Sequence, residues 1–256
     1  MIGTLAGLYG AAVLFGMPPS LPFDVAWNLG DLPLDPALRA DNDGRTRLVV
    51  LQHGLWRSQW AMKCLQRALE AHGYVVCNEG YPSTAMTIEE ASARLASVAE
   101  AAVAACRSPV EVAFVGHSLG GLVIQDYLRR SDARLPFACV YVAVPHRGAV
   151  LCDLRKHWWP FPWIMGTGAA LQLSPGDPIH ARPIRFVERS GVVVGNLGEG
   201  NTSIPGDDDG TVAVVEASLA GAADRIVLAL SHTAIASSPA TSRQVLHFLK
   251  ARRFEH

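Results

Sequence analysis

One serine lies in a glycine-rich turn that can present it as a nucleophile. Residues 115–121 read VGHSLGG, so Ser118 has Gly116 two residues before it and Gly120 two residues after it. This is the G-x-S-x-G pattern of a sharp strand-to-helix turn, in which the glycines let the backbone close around the serine without Cβ clashes. Such a turn lifts the hydroxyl above the carboxyl edge of a sheet, where open α/β sheets bind ligands. Because the motif stands between a predicted strand and a predicted helix, it indicates a nucleophilic serine.

A serine hydroxyl needs a base to become nucleophilic at neutral pH, and the base needs an acid to orient it. His232 follows the sixth predicted strand by one turn, which is where a general base stands in a fold with this serine turn. The other eight histidines are less suitable as the general base. His53 precedes a glycine after the first strand, and His247 lies within the last predicted helix. His117 is part of the serine turn, and we expect its side chain to point away from the hydroxyl.

The orienting acid is expected after the fifth predicted strand, where residues 207–212 read DDDGTV. Asp209 is favoured, because the glycine that follows it allows a turn that aims the carboxylate inward. The two preceding aspartates fit solvated loop residues. The acids that stay open as alternatives are Asp208, Glu199 and Asp177.

Acyl transfer also needs two preorganised N–H donors, which together form an oxyanion hole. We expect the first donor to be the backbone N–H of Leu119, the residue after the nucleophile. The second should come from the loop at residues 53–55, after the first predicted strand. Gly54 allows that loop to approach closely, so the backbone N–H of Leu55 is the expected donor.

Elements that can position these residues alternate along the chain. Apolar runs predict strands at residues 47–52, 74–78, 111–115, 138–144, 191–196 and 224–230. Helical patterns cover residues 58–72, 87–106, 120–130 and 241–253. Strands that are apolar on both faces and alternate with helices predict a mainly parallel sheet covered on both sides. With right-handed crossovers, the expected architecture is an open, doubly wound α/β sheet of about six strands.

The chain divides into a lead-in and one domain. Residues 1–46 hold an apolar segment and a proline-rich stretch, and residues 47–256 form the α/β domain. An insertion at about residues 151–189 separates the fourth and fifth predicted strands. It contains a cluster of aromatic residues that suits either a mobile lid over an acyl pocket or a cover for the edge of the sheet. The candidate substrate-binding residues in this cluster are Trp158, Trp159, Phe161 and Trp163.

Composition excludes several other classes of protein. The chain has 256 residues, of which 50% are hydrophobic and 18% are charged, with a formal net charge of −1. This composition is the opposite of that of intrinsically disordered chains. The near-neutral charge also argues against a nucleic-acid binder, which would have a basic face. We see neither a metal-ligand cluster nor a phosphate-binding loop, so no metal or other cofactor is expected.

The first residues and the cysteines bear on location. Residues 2–16 carry no charge and place apolar side chains roughly on one helical face, but they lack the basic region and cleavage site of a secretory signal. Three interpretations stay open: a helix on the protein's own core, a contact with a membrane surface, or a true start at Met17. Five cysteines without a CxxC motif fit buried thiols in a reducing compartment. We expect a cytoplasmic location, with membrane association open and secretion disfavoured.

Taken together, these stretches resemble the α/β-hydrolase superfamily, in particular its bacterial lipase and esterase branch. The matching segments are LQHGLW, FVGHSLGGLV, VAVPHRGA, DDDGTV and LSHTAI, which span about residues 47–254. In that branch the glycine-flanked serine, the aspartate of an Asp-Gly-x-Val turn and a late histidine form a triad, which here implies Ser118, Asp209 and His232. The loop that is usually Thr-Pro-x-x-Gly reads VPHRG at residues 144–148. The two antiparallel strands that open larger members are not visible, which implies a minimal version of the fold.

The expected function is hydrolysis of a small-molecule or lipid-like carboxylic ester through an acyl-enzyme. A thioesterase, an amidase or an acyltransferase on the same scaffold is the alternative, because a fold does not fix its substrate. An alternative of another class is a catalytically silent hydrolase fold that binds a partner or a membrane. A membrane-associated lipid remodeller is a third, and it rests only on residues 2–16. The sequence predicts no oligomeric state.

Overall fold

Six parallel strands form one sheet in the computed structural model, which describes residues 32–159, 161–198 and 202–256. The strands are β1 (Thr46–Gln52), β2 (Val75–Cys77), β3 (Val110–His117), β4 (Pro136–Val142), β5 (Ser190–Gly195) and β6 (Asp224–Leu228). Their order across the sheet is β2-β1-β3-β4-β5-β6, and every neighbouring pair is parallel. The predicted six-stranded α/β sheet is therefore confirmed.

Helices lie on both sides of this sheet. The α-helices are α1 (Lys63–Ala71), α2 (Ile88–Ala104), α3 (Leu119–Arg129), α4 (Val150–Arg155), α5 (Phe161–Met165), α6 (Ala169–Gln172), α7 (Val214–Ala217) and α8 (Pro239–Ala251). Single 3₁₀ turns cover Pro36–Leu38, Gln59–Met62, Pro178–Ala181, Val187–Arg189 and Ala234–Ala236. The insertion between β4 and β5 contains α4, α5 and α6, in the place that the sequence predicted.

Strand β1 shows why the sheet is covered on both faces. Successive side chains of a strand point to opposite faces, and here every one of them from Leu48 to Leu51 is buried. Val49 and Leu51 pack in a cluster with side chains of α1 and α8. Leu48 and Val50 pack in a second cluster with side chains of α2 and α3. The continuous apolar run in the sequence thus serves two hydrophobic cores.

Three features of the elements differ from the expectation. Strand β6 alternates between half-buried and exposed residues, because it lies at an edge of the sheet and has one neighbouring strand. The helix expected at residues 58–72 begins as a 3₁₀ turn, in which the Ser58 side chain accepts a hydrogen bond from the Trp60 N–H, and α1 follows it. Strand β3 continues two residues beyond its predicted end, as far as His117.

Other expectations concern the N-terminal segment and the cysteines. The segment at residues 2–16 lies outside the described residues. Within the described residues, no helix is both long enough and apolar enough to cross a membrane. All five cysteines are in the described part of the chain and form no disulfide. Cys64, Cys139 and Cys152 are buried, and the other two are half-buried.

The start of α3 packs directly on the end of β1, which explains one of the motif glycines. A Cβ atom on Gly120 would overlap the carbonyl oxygen of Gln52 and would lie 2.6 Å from the carbonyl oxygen of His53. Both obstacles are backbone atoms, so they cannot move aside as a flexible side chain can. Only glycine therefore allows this contact between helix and strand.

We predict that Gly120→Ala lowers the free energy of unfolding by about 2 to 3 kcal/mol, the cost of overpacking a tight contact. Chemical denaturation of both proteins measures this difference. The control is Gly176→Ala, because a Cβ atom at Gly176 would meet nothing within 4 Å. Equal stability losses in the two variants would contradict the packing explanation.

A buried histidine after β4 makes stability depend on pH. The Gln125 amide donates a hydrogen bond of 2.6 Å to Nδ1 of His146. Burial, with a smaller contribution from His180, lowers the pKa of His146 to about 3. An unfolded chain has an ordinary histidine pKa of about 6.5. Below that pH the unfolded state binds a proton that the folded state refuses, so stability is complete above pH 6.5 and declines as the pH falls.

We predict that this one histidine removes roughly 1 kcal/mol from the free energy of unfolding between about pH 7.5 and pH 5.5. Urea denaturation at the two pH values measures the loss. His146→Gln keeps a polar side chain beside Gln125 but cannot take up the proton. Its stability should decline less than that of the wild type by the same amount. An identical decline in both proteins would show that His146 does not carry the effect.

Candidate active site

Ser118 lies on a strained turn between β3 and α3. Its backbone has φ 53° and ψ −127°, a conformation that non-glycine residues rarely adopt and that is common at functional sites. The Ser118 N–H donates to the carbonyl oxygen of Val142 at 2.9 Å, which ties the turn to β4. A Cβ atom on Gly116 would lie 2.6 Å from the Cα atom of Gly121. The surrounding glycines therefore permit the close approach that holds the serine in this conformation.

Three side chains predicted from the sequence meet at the carboxyl edge of the sheet. His232 Nε2 lies 2.9 Å from Ser118 Oγ. On the other side of the same ring, His232 Nδ1 lies 2.7 Å from Asp209 Oδ2. With a proton on Nδ1 that is donated to the carboxylate, Nε2 is left to accept the hydroxyl proton. The arrangement can thus remove a proton from Ser118.

The turn after β5 fixes the Asp209 carboxylate. Its Oδ1 atom accepts hydrogen bonds from the N–H groups of Thr211 at 3.0 Å and Val212 at 2.8 Å. Gly210 has φ +94°, a conformation that favours glycine. The His232 N–H also donates to the Asp209 carbonyl oxygen at 2.8 Å. One carboxylate oxygen is therefore held by the backbone, and the other is directed at the histidine.

The alternative acids occupy other positions. Asp208 Oδ1 accepts a hydrogen bond of 2.6 Å from the N–H of Gly210. Asp177 caps the 3₁₀ turn Pro178–Ala181 by accepting from the N–H of Ile179. Glu199 lies outside the described residues. Of the acids considered in the described chain, the structure brings Asp209 to His232.

The two candidate oxyanion donors belong to chain segments that adjoin Ser118. Leu119 is the first residue of α3, so its N–H is one of those that a helix leaves without an intrahelical acceptor. The loop after β1 passes directly beside the serine, since a Cβ atom on Gly54 would lie 3.0 Å from Ser118 Cβ. Leu55, the next residue, lines the same cavity as Ser118.

His117 is a lining residue of the same cavity as Ser118, and its ring lies against His232. His117 Nε2 donates to the carbonyl oxygen of His232 at 2.9 Å, and the two rings are 4.9 Å apart between centroids. Burial is the main cause that holds the pKa of His117 well below its ordinary value, and the proximity of His232 is the second cause.

A cavity of about 90 Å³ adjoins the serine. One part of its wall consists of residues beside the three central side chains, namely Leu55, Arg57, Thr211 and Thr233. The remainder comes from the insertion and the residues next to it: Ala149, Leu151, Cys152, Arg155, Phe161, Met165 and Leu173. This wall is mostly apolar, which suits the hydrocarbon part of a substrate.

The structure brings one of the four candidate aromatic residues to this cavity. Phe161 is buried and lines the wall together with Met165, four residues later on α5. The side chains of Trp158, Trp159 and Trp163 are 39%, 79% and 89% exposed and lie outside the lining. The helical turn of α5 explains why Phe161 and Trp163 differ, because residues four apart share a face and Trp163 lies between Phe161 and Met165.

Within the described residues, no group of three or more His, Cys, Asp or Glu side chains is arranged to hold a metal ion.

Comparisons with known proteins agree with this architecture. A model of the alpha/beta hydrolase family matches residues 48–249. No protein of a curated set matches the sequence significantly. Among solved structures, the mature lipase BlEst2 of Bacillus licheniformis is similar, with a TM-score of 0.60 and 20% identity over 84% of this chain and 94% of that chain.

Two further structures are similar at comparable levels. A metagenomic carboxyl esterase, MGS0156, has a TM-score of 0.57 and 18% identity over 84% of this chain and 76% of that chain. A pyrethroid hydrolase, PytH, has a TM-score of 0.53 and 16% identity over 81% of this chain and 98% of that chain. At such identities the likeness concerns the fold alone.

Proposed function

The chain belongs to the alpha/beta hydrolase family, and from that premise we propose that it hydrolyses carboxylic esters through an acyl-enzyme on Ser118. The observation that supports this most strongly is the continuous hydrogen-bonded series from Ser118 Oγ through His232 to Asp209. The Ser118 end of this series lies at a mostly apolar cavity that can receive an acyl chain. A nucleophile, a base and an orienting acid in this order are the components of serine acyl transfer.

In the first half of the proposed reaction, Ser118 Oγ attacks the ester carbonyl carbon while His232 Nε2 takes the hydroxyl proton. The carbonyl electrons move onto the oxygen, and the backbone N–H groups of Leu55 and Leu119 stabilise that negative charge. When the tetrahedral intermediate collapses, the bond to the alcohol oxygen breaks. His232 returns the proton to the departing alcohol, which leaves the acyl group on Ser118.

In the second half, water takes the place of the alcohol. His232 removes a proton from water as its oxygen attacks the acyl carbon, and then returns a proton to Ser118 as the acid departs. Asp209 keeps the His232 ring in the required tautomer and orientation, and stabilises the imidazolium in both halves. His117 acts as a positioning residue, because its Nε2–H holds the carbonyl oxygen of His232.

Hydrolysis of p-nitrophenyl butyrate by the purified protein tests this proposal. We expect one butyrate and one p-nitrophenol per ester consumed, together with irreversible inhibition by a fluorophosphonate. A parallel panel of a thioester, an amide and an ester with an added alcohol acceptor distinguishes hydrolysis of esters from the related acyl transfers. Absence of both turnover and fluorophosphonate labelling would contradict the proposal and favour a binding role for the fold.

A further inference from the structure

The cavity beside Ser118 has positive charge in a mostly apolar wall. Arg57 and Arg155 line it, and within the described residues no carboxylate side chain does. Burial lowers the pKa of Arg155, but a guanidinium remains charged at neutral pH because its ordinary pKa exceeds about 12. The wall of this cavity therefore includes two cationic residues.

The two arginines belong to different parts of the wall. Arg57 Nη2 donates to Thr233 Oγ1 at 2.9 Å, and Thr233 directly follows His232. The alcohol that leaves the ester must stand near His232 to receive its proton, so this is the alcohol side of the cavity. Arg155 is the last residue of α4, in the insertion, where it lines the wall together with Phe161 and Met165. The acyl part of the substrate is therefore expected to lie on the side of the cavity that the insertion forms.

A guanidinium in such a wall favours one kind of acyl group. Its planar arrangement of N–H donors matches the two oxygens of a carboxylate, and the resulting pair is among the strongest hydrogen-bonded contacts in proteins. The apolar surroundings lower the local dielectric constant, which strengthens the attraction between the charges. A wholly apolar acyl chain gains nothing from the guanidinium.

We propose that Arg155 makes this site selective for esters whose acyl chain ends in a carboxylate, that is, for half-esters of dicarboxylic acids. The inference rests on the proposed esterase function and adds the substrate class. Arg155 acts as a specificity-determining residue: it binds the distal carboxylate while the ester carbonyl lies at Ser118. The acyl chain then spans the distance between the serine and the insertion.

A matched pair of substrates tests this inference on the purified protein. The mono-p-nitrophenyl ester of adipic acid and p-nitrophenyl hexanoate have the same number of acyl carbons and differ in the terminal carboxylate. We expect the wild type to have a kcat/KM about tenfold higher for the adipate half-ester. Arg155→Met should remove this preference, so that the two kcat/KM values differ by a factor of about two or less.

Two further variants separate local binding from general effects. Arg155→Lys keeps the charge but loses the planar donors, and should retain part of the preference for the half-ester. Arg147→Met removes one positive charge from an exposed residue of the loop after β4, and should leave both substrates unaffected. If Arg155→Met fails to fold, the wild-type preference and the lysine variant still decide the outcome.

Some outcomes overturn this inference alone, and another overturns the proposed function with it. Equal losses on both substrates in Arg155→Met, or a wild type that prefers the hexanoate ester, would show that Arg155 does not select a carboxylate. In either case hydrolysis that depends on Ser118 leaves the proposed function standing. Absence of any Ser118-dependent hydrolysis of both esters would overturn the two together.

Discussion

Ser118→Ala is expected to lower kcat for p-nitrophenyl butyrate by about 10⁵- to 10⁶-fold, the loss seen when the nucleophile of a serine triad is removed. The reason is that no other group replaces Oγ, which lies 2.9 Å from the base in the native site. The residual activity that such variants keep comes from the oxyanion hole and from substrate binding. Initial rates, measured with enough protein to detect this residual activity, give the size of the loss.

The control for this variant is Ser231→Ala, because Ser231 directly precedes His232 in the chain and has no role in the proposed reaction. Its kcat should stay within a factor of about two of the wild type. Circular dichroism and thermal denaturation of both variants establish that the fold is intact. Full turnover by folded Ser118→Ala protein would exclude the acyl-enzyme.

Asp209→Asn is expected to lower kcat by about 10⁴-fold while the fold persists. An asparagine amide directed at His232 Nδ1 donates instead of accepting, so it stabilises the tautomer that carries the proton on Nε2. That tautomer cannot take the proton of Ser118. The backbone donors of Thr211 and Val212, which hold Oδ1, can still hold the amide oxygen, and this keeps the turn in place.

The neighbouring aspartate provides the matched control for this loss. Asp208 Oδ1 accepts from the Gly210 N–H, and an asparagine oxygen can accept the same hydrogen bond. Asp208→Asn should therefore reduce kcat by a factor of about three at most. If the two variants lost activity equally, or if Asp208→Asn lost more, the assignment of Asp209 as the orienting acid would be wrong.

The sheet could be predicted because its signal is local. Uninterrupted apolar runs such as residues 47–52 bury both faces of a strand, and this requires helices on both sides. The same reasoning placed Ser118, Asp209 and His232 after the third, fifth and sixth strands. Parallel strands end at one edge of a sheet, so residues that follow those strands come close together.

Other parts of the site depend on contacts that a linear pattern does not contain. The contact between His117 Nε2 and the carbonyl oxygen of His232 is an example, because 115 positions separate the two residues in the chain.

The wall of the cavity depends most on tertiary structure. The cluster at residues 158–163 supplied four candidate aromatic residues, and of these Phe161 lines the cavity. A helix of one turn has too few residues to show a clear periodicity, so its inner face cannot be read from sequence. Arg155 had no motif of its own, and its contribution to the wall comes from the packing of the insertion against the sheet.

Mass spectrometry of the protein after reaction with a fluorophosphonate is the most direct test of the central claim, which is that Ser118 Oγ becomes covalently acylated during turnover. We expect one phosphonyl group per molecule, located on the peptide that contains Ser118 and absent from Ser118→Ala. The loss of esterase activity should keep pace with formation of this adduct. An unmodified Ser118 in protein that continues to hydrolyse esters, or an adduct on another residue, would contradict the account.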